Sequence, residues 1–195
     1  MKKLFILGIC LLLTSCFEIT EKIKHNSNQS GDYSLVIDFS NSWLKTKSAI
    51  LLEEVDGVSI PNEEDIKSKL AQFRADASKI KGTSKISTSY DFNTYVFKIN
   101  FSYNSIETLN AVLNTIDKKN SLVHFKNNNG RFERIASYPL PKDLAKKEDK
   151  KEDLLKANIT AVYTFDKDVA TVQNPNSKLS KSKKTVFLKQ NIWNV

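Results

Sequence analysis

Residues 95–103 read Tyr-Val-Phe-Lys-Ile-Asn-Phe-Ser-Tyr, with a large apolar or aromatic side chain at every second position. This alternation is typical of a strand that buries one face and exposes the other. An aromatic stripe of this kind can line a ligand site, but it more often packs beneath helices. We therefore expect it to form the centre of the core. The stripe consists of Tyr95, Phe97, Ile99, Phe101 and Tyr103.

An amphipathic helix is predicted on each side of this strand. The sequence Asn104-Ser105-Ile106-Glu107 approximates a capping box with Asn104 as the cap. Earlier in the chain, Asn62 is a candidate N-cap followed by three acidic residues in the first turn. The apolar faces at helical spacing are Leu109, Val112, Leu113 and Ile116 in the later helix, and Ile66, Leu70, Phe73, Ala77 and Ile80 in the earlier one.

Two hairpins are predicted from turn composition. Phe17, Ile19 and Ile23 alternate before the polar turn 25–31, and alternation resumes from Tyr33 to Phe39. The Asn129-Gly130 pair marks the second hairpin, because both central residues of a type I′ turn need a positive φ. Residues 43–55 carry mixed signals and are predicted to be partly helical. Further strands are predicted at residues 86–90, 159–165, 169–172 and 185–193, and the second hairpin pairs 122–126 with 132–135.

These elements predict an α+β fold in which amphipathic helices pack on one face of a mostly antiparallel sheet. A ferredoxin-like repetition of strand, helix and strands stays open. Hydrophobic residues make up 40% and charged residues 27% of the chain, which is ordinary for a globular protein. We expect a single domain at 16–195. Residues 142–156 mix both charges with few apolar residues, so we expect a solvated helix or a mobile insert there.

The first 15 residues have the plan of a secretory signal peptide. Lys2 and Lys3 precede the apolar run Leu4 to Leu13, which is too short for a bilayer that needs roughly 20 helical residues. The junction that follows resembles a bacterial lipobox, in which the thiol takes a diacylglyceryl group before cleavage. An ordinary secretory signal with an incidental cysteine is the alternative. The lipobox residues are Leu13, Thr14, Ser15 and Cys16.

Cysteine usage supports lipidation of Cys16. The other cysteine, Cys10, leaves with the signal, so the mature chain keeps one acylated sulfur and neither a disulfide nor a cysteine-ligated metal is expected. A diacylglyceryl group with an additional acyl chain such as palmitate holds a protein firmly on a membrane. Phe17 stands where an aspartate would favour retention in the inner membrane. We therefore expect the outer membrane. Residues 17–22 hold only single acidic residues and no cluster of the kind used for surface export, so we expect its periplasmic face.

The chain resembles a group of uncharacterised outer-membrane lipoproteins of Bacteroidetes. The resemblance lies in Cys16-Phe17-Glu18-Ile19-Thr20-Glu21-Lys22-Ile23, in Ser30-Gly31 and in Asp38-Phe39-Ser40. The C-terminal part is similar, more loosely, to LppM-type lipoprotein domains in Tyr163-Thr164-Phe165, Ser180, Lys184-Thr185-Val186 and Trp193. What the resemblance implies is an exported α+β domain, without catalytic residues to carry over.

The charge and histidine content limit the function classes. The net charge of +8 owes much to Lys178, Lys181, Lys183 and Lys184, but no aromatic residues alternate with these lysines, so we expect a solvated turn and no nucleic acid partner. His25, in a predicted turn, and His124, in a predicted strand, are the only histidines and lack metal-ligand spacing. The acidic residues Asp32, Asp38, Glu53, Glu54 and Asp56 match no calcium loop.

The leading hypothesis is therefore a non-enzymatic, membrane-anchored envelope lipoprotein that binds a partner protein or an apolar ligand. No catalytic residue, metal or cofactor is expected beyond the lipid on Cys16. The alternative is a periplasmic hydrolase with an unrecognised site. A pocket joining a histidine to carboxylates and a hydroxyl would favour the hydrolase, an apolar cleft would favour ligand binding, and a flat apolar patch would favour a protein partner.

The anchor gives the first testable prediction. Cys16→Ser should abolish lipidation, because the serine hydroxyl cannot replace the thiol as the acceptor of the diacylglyceryl group. The protein should then move from the membrane fraction to the soluble periplasm or stay unprocessed, as measured by metabolic labelling with a fatty acid. Label that persists in the variant would contradict the prediction.

Overall fold

A computed structural model describes residues 17–55, 58–117, 122–136 and 157–191. The predicted signal peptide, the lipobox and the charged segment 142–156 lie outside the described residues. The helices are α1 (Trp43–Leu52), α2 (Glu63–Ser78) and α3 (Ile106–Asp117). The strands are β1 (Glu18–His25), β2 (Gly31–Asp38), β3 (Glu54–Val55), β4 (Val58–Ser59), β5 (Thr83–Asp91), β6 (Val96–Tyr103), β7 (Phe125–Asn128), β8 (Arg131–Arg134), β9 (Asn158–Phe165), β10 (Ser177–Leu179) and β11 (Thr185–Asn191).

Seven strands form one sheet in the order β10-β11-β9-β1-β2-β6-β5. Neighbouring strands are antiparallel except β1 and β9, which run parallel with Glu18 opposite Asn158. The pairs β3-β4 and β7-β8 are separate two-stranded hairpins. The predicted α+β class with a mostly antiparallel sheet is confirmed.

The strand directions contain a repeated strand-helix-strand unit. Strands β2 and β5 run parallel on either side of β6 and are connected through α2. Strands β6 and β9 also run parallel and are connected through α3, with β2 and β1 lying between them. The ferredoxin-like repetition is thus present, and β1 is an additional strand inserted at its centre.

Helices α2 and α3 contribute to a core on one face of the sheet. Tyr95, Phe101 and Tyr103 of the aromatic stripe are buried, whereas Phe97 and Ile99 between them are half-buried. Tyr95 lies directly before β6 with a φ of 55°. The core cluster comprises Ile23, Tyr33, Phe73, Ala77, Phe101, Tyr103, Ile106, Leu109, Val112, Leu113 and Phe125. The burial confirms the predicted inner face of α2 and, in α3, that of Leu109, Val112 and Leu113. Ile116, predicted on the same face, is exposed, because it lies in the last turn of α3 beyond the core cluster.

The cap of α2 confirms the prediction from the sequence, whereas the cap of α3 differs from it. Asn62 accepts a hydrogen bond from the backbone N–H of Asp65 at 2.9 Å, and the Asp65 carboxylate accepts one from the N–H of Asn62 at 3.2 Å. The cap of α3 is Ser105, whose Oγ accepts from the N–H of Thr108, so the prediction of Asn104 is wrong. Because α3 begins at Ile106, Asn104 stands one residue before the cap, and its N–H donates to the carbonyl of Gly82.

The chain between β9 and β11 also differs from the prediction. Residues 169–172 form no strand; the N–H of Val169 donates to the carbonyl of Lys183. Val169 and Val172 are three residues apart, so a strand would point them to opposite faces. Lys178, predicted in a turn, lies in the short strand β10.

The core gives the second prediction. Phe101→Ala should lower the free energy of unfolding by about 3–5 kcal/mol, because the Phe101 ring is buried and stacks on Tyr33 at 4.9 Å. Lys98→Ala, on the exposed face of the same strand, should change it little. Urea denaturation of the two variants measures the difference. Equal losses would show that the inner face of β6 has been misassigned.

Candidate functional site

A cavity of about 870 Å³ lies between the sheet and the β7-β8 hairpin. Its described lining comes from the inner faces of β9 and β11, from the hairpin, and from residues 166–174. The hairpin is held against β9 by aromatic contacts: the Phe132 ring lies 5.7 Å from Tyr163 and 5.5 Å from Phe165. The cavity is therefore bounded by one rigid sheet face and one anchored hairpin.

The floor of the cavity is apolar because inward-facing side chains alternate along two paired strands. Ala161 lies opposite Leu188 and Tyr163 lies opposite Val186 in the antiparallel register of β9 and β11. Ile159 completes the floor and, like Ala161, is buried. The predicted alternation in β9 is confirmed, and its inner face lines the cavity as well as joining the core.

One end of the cavity is polar and is built around His25 and Asn127. The Nδ1 atom of His25 lies 3.0 Å from the hydroxyl of Tyr103, and its Nε2 lies 2.8 Å from the amide nitrogen of Asn127. With the Asn127 amide donating to Nε2, the proton of the neutral imidazole is on Nδ1 and is donated to Tyr103. Gly31 allows this approach, since a Cβ there would lie 2.4 Å from the Tyr103 hydroxyl oxygen.

The burial of His25 keeps its ring neutral. Burial lowers the pKa of His25 below its ordinary value of 6.5, and the carboxylate of Asp166 partly opposes that shift. The ring also packs on Phe132 at 4.8 Å between centroids. Burial likewise raises the pKa of Tyr103 far above its ordinary value, so its hydroxyl stays protonated.

A buried carboxylate ties the hairpin to the sheet beside the cavity. Glu21 is 0% exposed and accepts hydrogen bonds from the hydroxyls of Tyr33 at 2.9 Å and Tyr163 at 2.7 Å. The Nε of Arg134 donates to the same carboxylate at 3.1 Å. Arg134 and Tyr163 line the cavity, so this cluster fixes two of its walls.

The rim of the cavity is charged and exposed. Arg131 pairs with Glu133 at 2.6 Å and donates to the side-chain oxygen of Gln173 at 2.9 Å, which connects the hairpin to the 166–174 segment. Asp166 accepts hydrogen bonds from the backbone N–H and the hydroxyl of Ser27. The backbone hydrogen bond from Ser27 is the main reason that the pKa of Asp166 is lowered. Residues 166–174 are thus attached at Gln173 to the hairpin and at Asp166 to Ser27.

A second depression, of about 420 Å³, lies on the opposite face of the sheet. Lys22, Lys24 and Lys85 are among its lining residues, together with Asp32 and Ser102. The Ser102 hydroxyl donates to the carboxylate of Asp32. It is shallower and has fewer inward-facing apolar groups, so the larger cavity is the better candidate for a ligand site.

The residues singled out from the sequence do not form one site. His25 is the buried last residue of β1 and not part of a turn, and His124 lies directly before β7 with its Nε2 3.2 Å from the side-chain oxygen of Asn114. Asp38 accepts a hydrogen bond from the backbone of Ser40, and Asp56 lies outside the described residues. Within the described ranges, no group of three or more His, Cys, Asp or Glu side chains is arranged for a metal ion.

Sequence reasoning missed the polar residues of the cavity. Glu21 and His25 follow Ile19 and Ile23 at period two, which is a signal for the inner face of β1 that an apolar pattern alone overlooks. Asn127 and Arg134 have no local sequence signal for a role in the cavity. Their partners, His25 for Asn127 and Glu21 for Arg134, lie more than 100 residues away in sequence.

Comparisons with known proteins give one similar structure. No protein-family model matches the chain, and neither does any curated protein. The chain is similar to the folded domain of the LppM protein of Mycobacterium tuberculosis, determined by NMR, with a TM-score of 0.45 and 10% identity over 91% of this chain and 83% of that one. A TM-score of 0.45 at 10% identity does not show a common family. The resemblance to lipoproteins of Bacteroidetes stays a prediction, because no family model and no curated protein matches. No helix among the described residues is long and apolar enough to cross a membrane.

His25 gives the third prediction. The unfolded chain takes up a proton near pH 6.5 while the folded chain, with its lowered His25 pKa, does not. The free energy of unfolding should therefore fall as the pH drops below 6.5, by at most about 1.4 kcal/mol per pH unit from this residue. In His25→Gln, the change between about pH 7.5 and about pH 5.5 should be smaller. Urea titrations at both pH values measure it, and an unchanged pH dependence would show that His25 is not the titrating group.

Proposed function

We propose that this chain is a non-enzymatic lipoprotein of the cell envelope that binds an apolar or amphiphilic ligand in the cavity between β9, β11 and the β7-β8 hairpin. The supporting observation is the cavity itself, whose volume of about 870 Å³ falls within the range of roughly 300–1,000 Å³ of small-molecule sites. Its apolar floor favours a hydrocarbon portion, and its polar end favours a small head group.

The polar end suggests what the head group carries. Asn127 lines the cavity, and its Oδ1 is buried without a hydrogen-bond partner among the described residues. A buried acceptor of this kind costs free energy unless a donor meets it. A hydroxyl or an amine on the ligand supplies that donor once the Asn127 amide turns this oxygen towards the cavity. The ligand class is thus an amphiphile with a hydrocarbon part and a hydrogen-bond donor.

The geometry favours a binding protein over a hydrolase. A catalytic imidazole needs one ring nitrogen within reach of a nucleophile or a water. Both ring nitrogens of His25 are engaged, with Tyr103 and with Asn127, and His124 uses its Nε2 towards Asn114. These contacts orient the hairpin. They support the assignment of a structural role to both histidines.

The location in this proposal comes from the sequence. Lipidation of Cys16 by a diacylglyceryl group and an acyl chain holds the domain on the membrane. Phe17 in the next position favours the outer membrane, and the lack of an acidic cluster in residues 17–22 favours its periplasmic face. A partner protein of the envelope is the other binding class that the sequence suggests. The concave cavity with its apolar floor gives the ligand the stronger support.

The test is titration of the mature chain with a pyrene-labelled long-chain alcohol, a fluorescent amphiphile whose hydroxyl can donate a hydrogen bond. Val186→Trp should weaken binding at least about tenfold, because Val186 lines the cavity floor and the indole takes up ligand space. The matched control is Phe187→Trp on the same strand, where the side chain is exposed on the other face. It should leave the affinity unchanged.

Circular dichroism shows whether both variants remain folded. Wild-type protein that does not bind the probe, or equal affinities for the two folded variants, would refute the cavity as a ligand site.

A further inference from the structure

Helix α1 exposes an unusual amount of apolar surface for its length. It contains no buried residue, and the exposed fractions are 48% for Trp43, 60% for Leu44, 74% for Leu51 and 68% for Leu52. Scattered exposed apolar residues are normal, but a contiguous group marks a surface that contacts another molecule or a membrane.

The exposed side of α1 carries the largest apolar residues of the helix. At 100° per residue, Leu44 and Leu51 lie side by side, with Trp43 and Leu52 at the two edges of the same side. The half-buried residues Thr46, Ala49 and Ile50 lie on the opposite side. Lys47 interrupts the apolar side, and a lysine there can extend its ammonium group to the phosphates while its methylenes stay among apolar groups.

The helix begins at the end of the sheet where the chain leaves the proposed anchor. Phe17 stands directly before β1, and its ring lies 5.3 Å from that of Phe39, directly after β2. Trp43 follows Phe39 by four residues, which span at most about 14 Å. The start of α1 is thus close to Phe17, and Cys16 precedes Phe17 by one peptide unit of about 3.8 Å.

The same end of the sheet carries further aromatic residues. The ring of Phe39 lies 6.3 Å from Phe97, which lies 5.9 Å from Phe92 in the β5-β6 turn. Phe92 in turn packs on Tyr90 at 4.9 Å, and Tyr90 is exposed. Tyrosine and tryptophan are enriched at the level of lipid head groups. The exposed ring of Tyr90 therefore extends the aromatic group outwards at the anchor end, and the start of α1 places the exposed Trp43 at the same end.

We propose that the exposed side of α1 lies in the head-group region of the bilayer that holds the lipid on Cys16. This inference rests on the proposed lipid anchor, because the glycerol joined to the cysteine sulfur fixes that residue at the boundary between head groups and acyl chains. Phe17 is one residue away, so the anchor end is held at that depth. An interfacial helix buries its apolar side about 5–10 Å into this boundary.

The basic turn between β10 and β11 lies at the other end of the strands. Thr185 pairs with Thr164, and Thr164 pairs with Lys24, six residues along β1 from Glu18. At about 3.3 Å per residue, the turn is roughly 20 Å from the anchor end. Lys181 in this turn is exposed. It therefore offers a reporter position away from the proposed membrane contact.

The experiment uses the mature lipidated chain with Trp193→Phe, so that Trp43 is the one tryptophan left of the two in the sequence. The protein is reconstituted into vesicles of phosphatidylethanolamine and phosphatidylglycerol, with or without phosphatidylcholine brominated on its acyl chains. Bromine should reduce Trp43 fluorescence roughly twofold or more if the indole lies at the boundary. A control chain with Trp43→Phe, Trp193→Phe and Lys181→Trp should show no reduction.

A second arm separates this inference from the anchor. The mass of the N-terminal peptide reports acylation directly, and a Cys16→Ser chain produced with the mature N-terminus reports the affinity of α1 alone by flotation with the same vesicles. Leu51→Asp should weaken this flotation about tenfold, whereas Leu179→Asp, in β10, should not.

Each outcome bears on one of the two proposals. If the peptide carries no acyl group but Trp43 is quenched, the anchor fails and the membrane contact of α1 stands. If the peptide is acylated but Trp43 is not quenched, the membrane contact is overturned. Trp43 that is unquenched by bromine yet shielded from aqueous iodide would identify a protein partner on α1, and this too would overturn it.

Discussion

The carboxylate of Glu21 connects four strands of this molecule. It is fully buried on the central strand β1 and accepts hydrogen bonds from Tyr33 on β2, Tyr163 on β9 and Arg134 on β8. A buried charge is costly unless it is paired and hydrogen-bonded. The three donors can satisfy it only when β9 lies parallel beside β1 and the β7-β8 hairpin folds over that edge. The polar cluster therefore specifies how β9 and the β7-β8 hairpin are placed against β1, whereas apolar contacts tolerate more than one placement.

The cavity follows from the same constraint. Arg134 and Glu21 hold one end of the hairpin, and the contact between Asn127 and His25 holds the other. The hairpin is thus fixed at both ends above β9, while the apolar residues of β9 and β11 continue beyond its cover. Aromatic packing of Phe132 against Tyr163 sets the separation. The cavity is the space that remains between two elements joined by long-range polar contacts.

The sequence predicts what local periodicity determines. The stripe in β6, the apolar faces of α2 and α3, and the Asn129-Gly130 turn with φ values of 51° and 81° all follow from short-range patterns. The parallel pairing of β1 with β9 has no local signal, because its partners lie about 140 residues apart. For the same reason the sequence gives no sign of Glu21 and places His25 in a turn: a polar residue on an inner face is recognisable only when its distant partners are known.

The cavity and the proposed bilayer contact of α1 are arranged along the strand direction of the sheet. In the register of the sheet, Ile159 and Gln190 lie opposite each other near the start of β1, which is the anchor end. Phe165 and His25 lie opposite each other at the far end, where Asn127 closes the cavity. The apolar floor thus begins near the proposed bilayer contact of α1 and leads to the polar groups. An amphiphile drawn from that membrane would leave its hydrocarbon part on the floor near the bilayer and carry its donor group to Asn127, which is the order of polarity that the cavity provides.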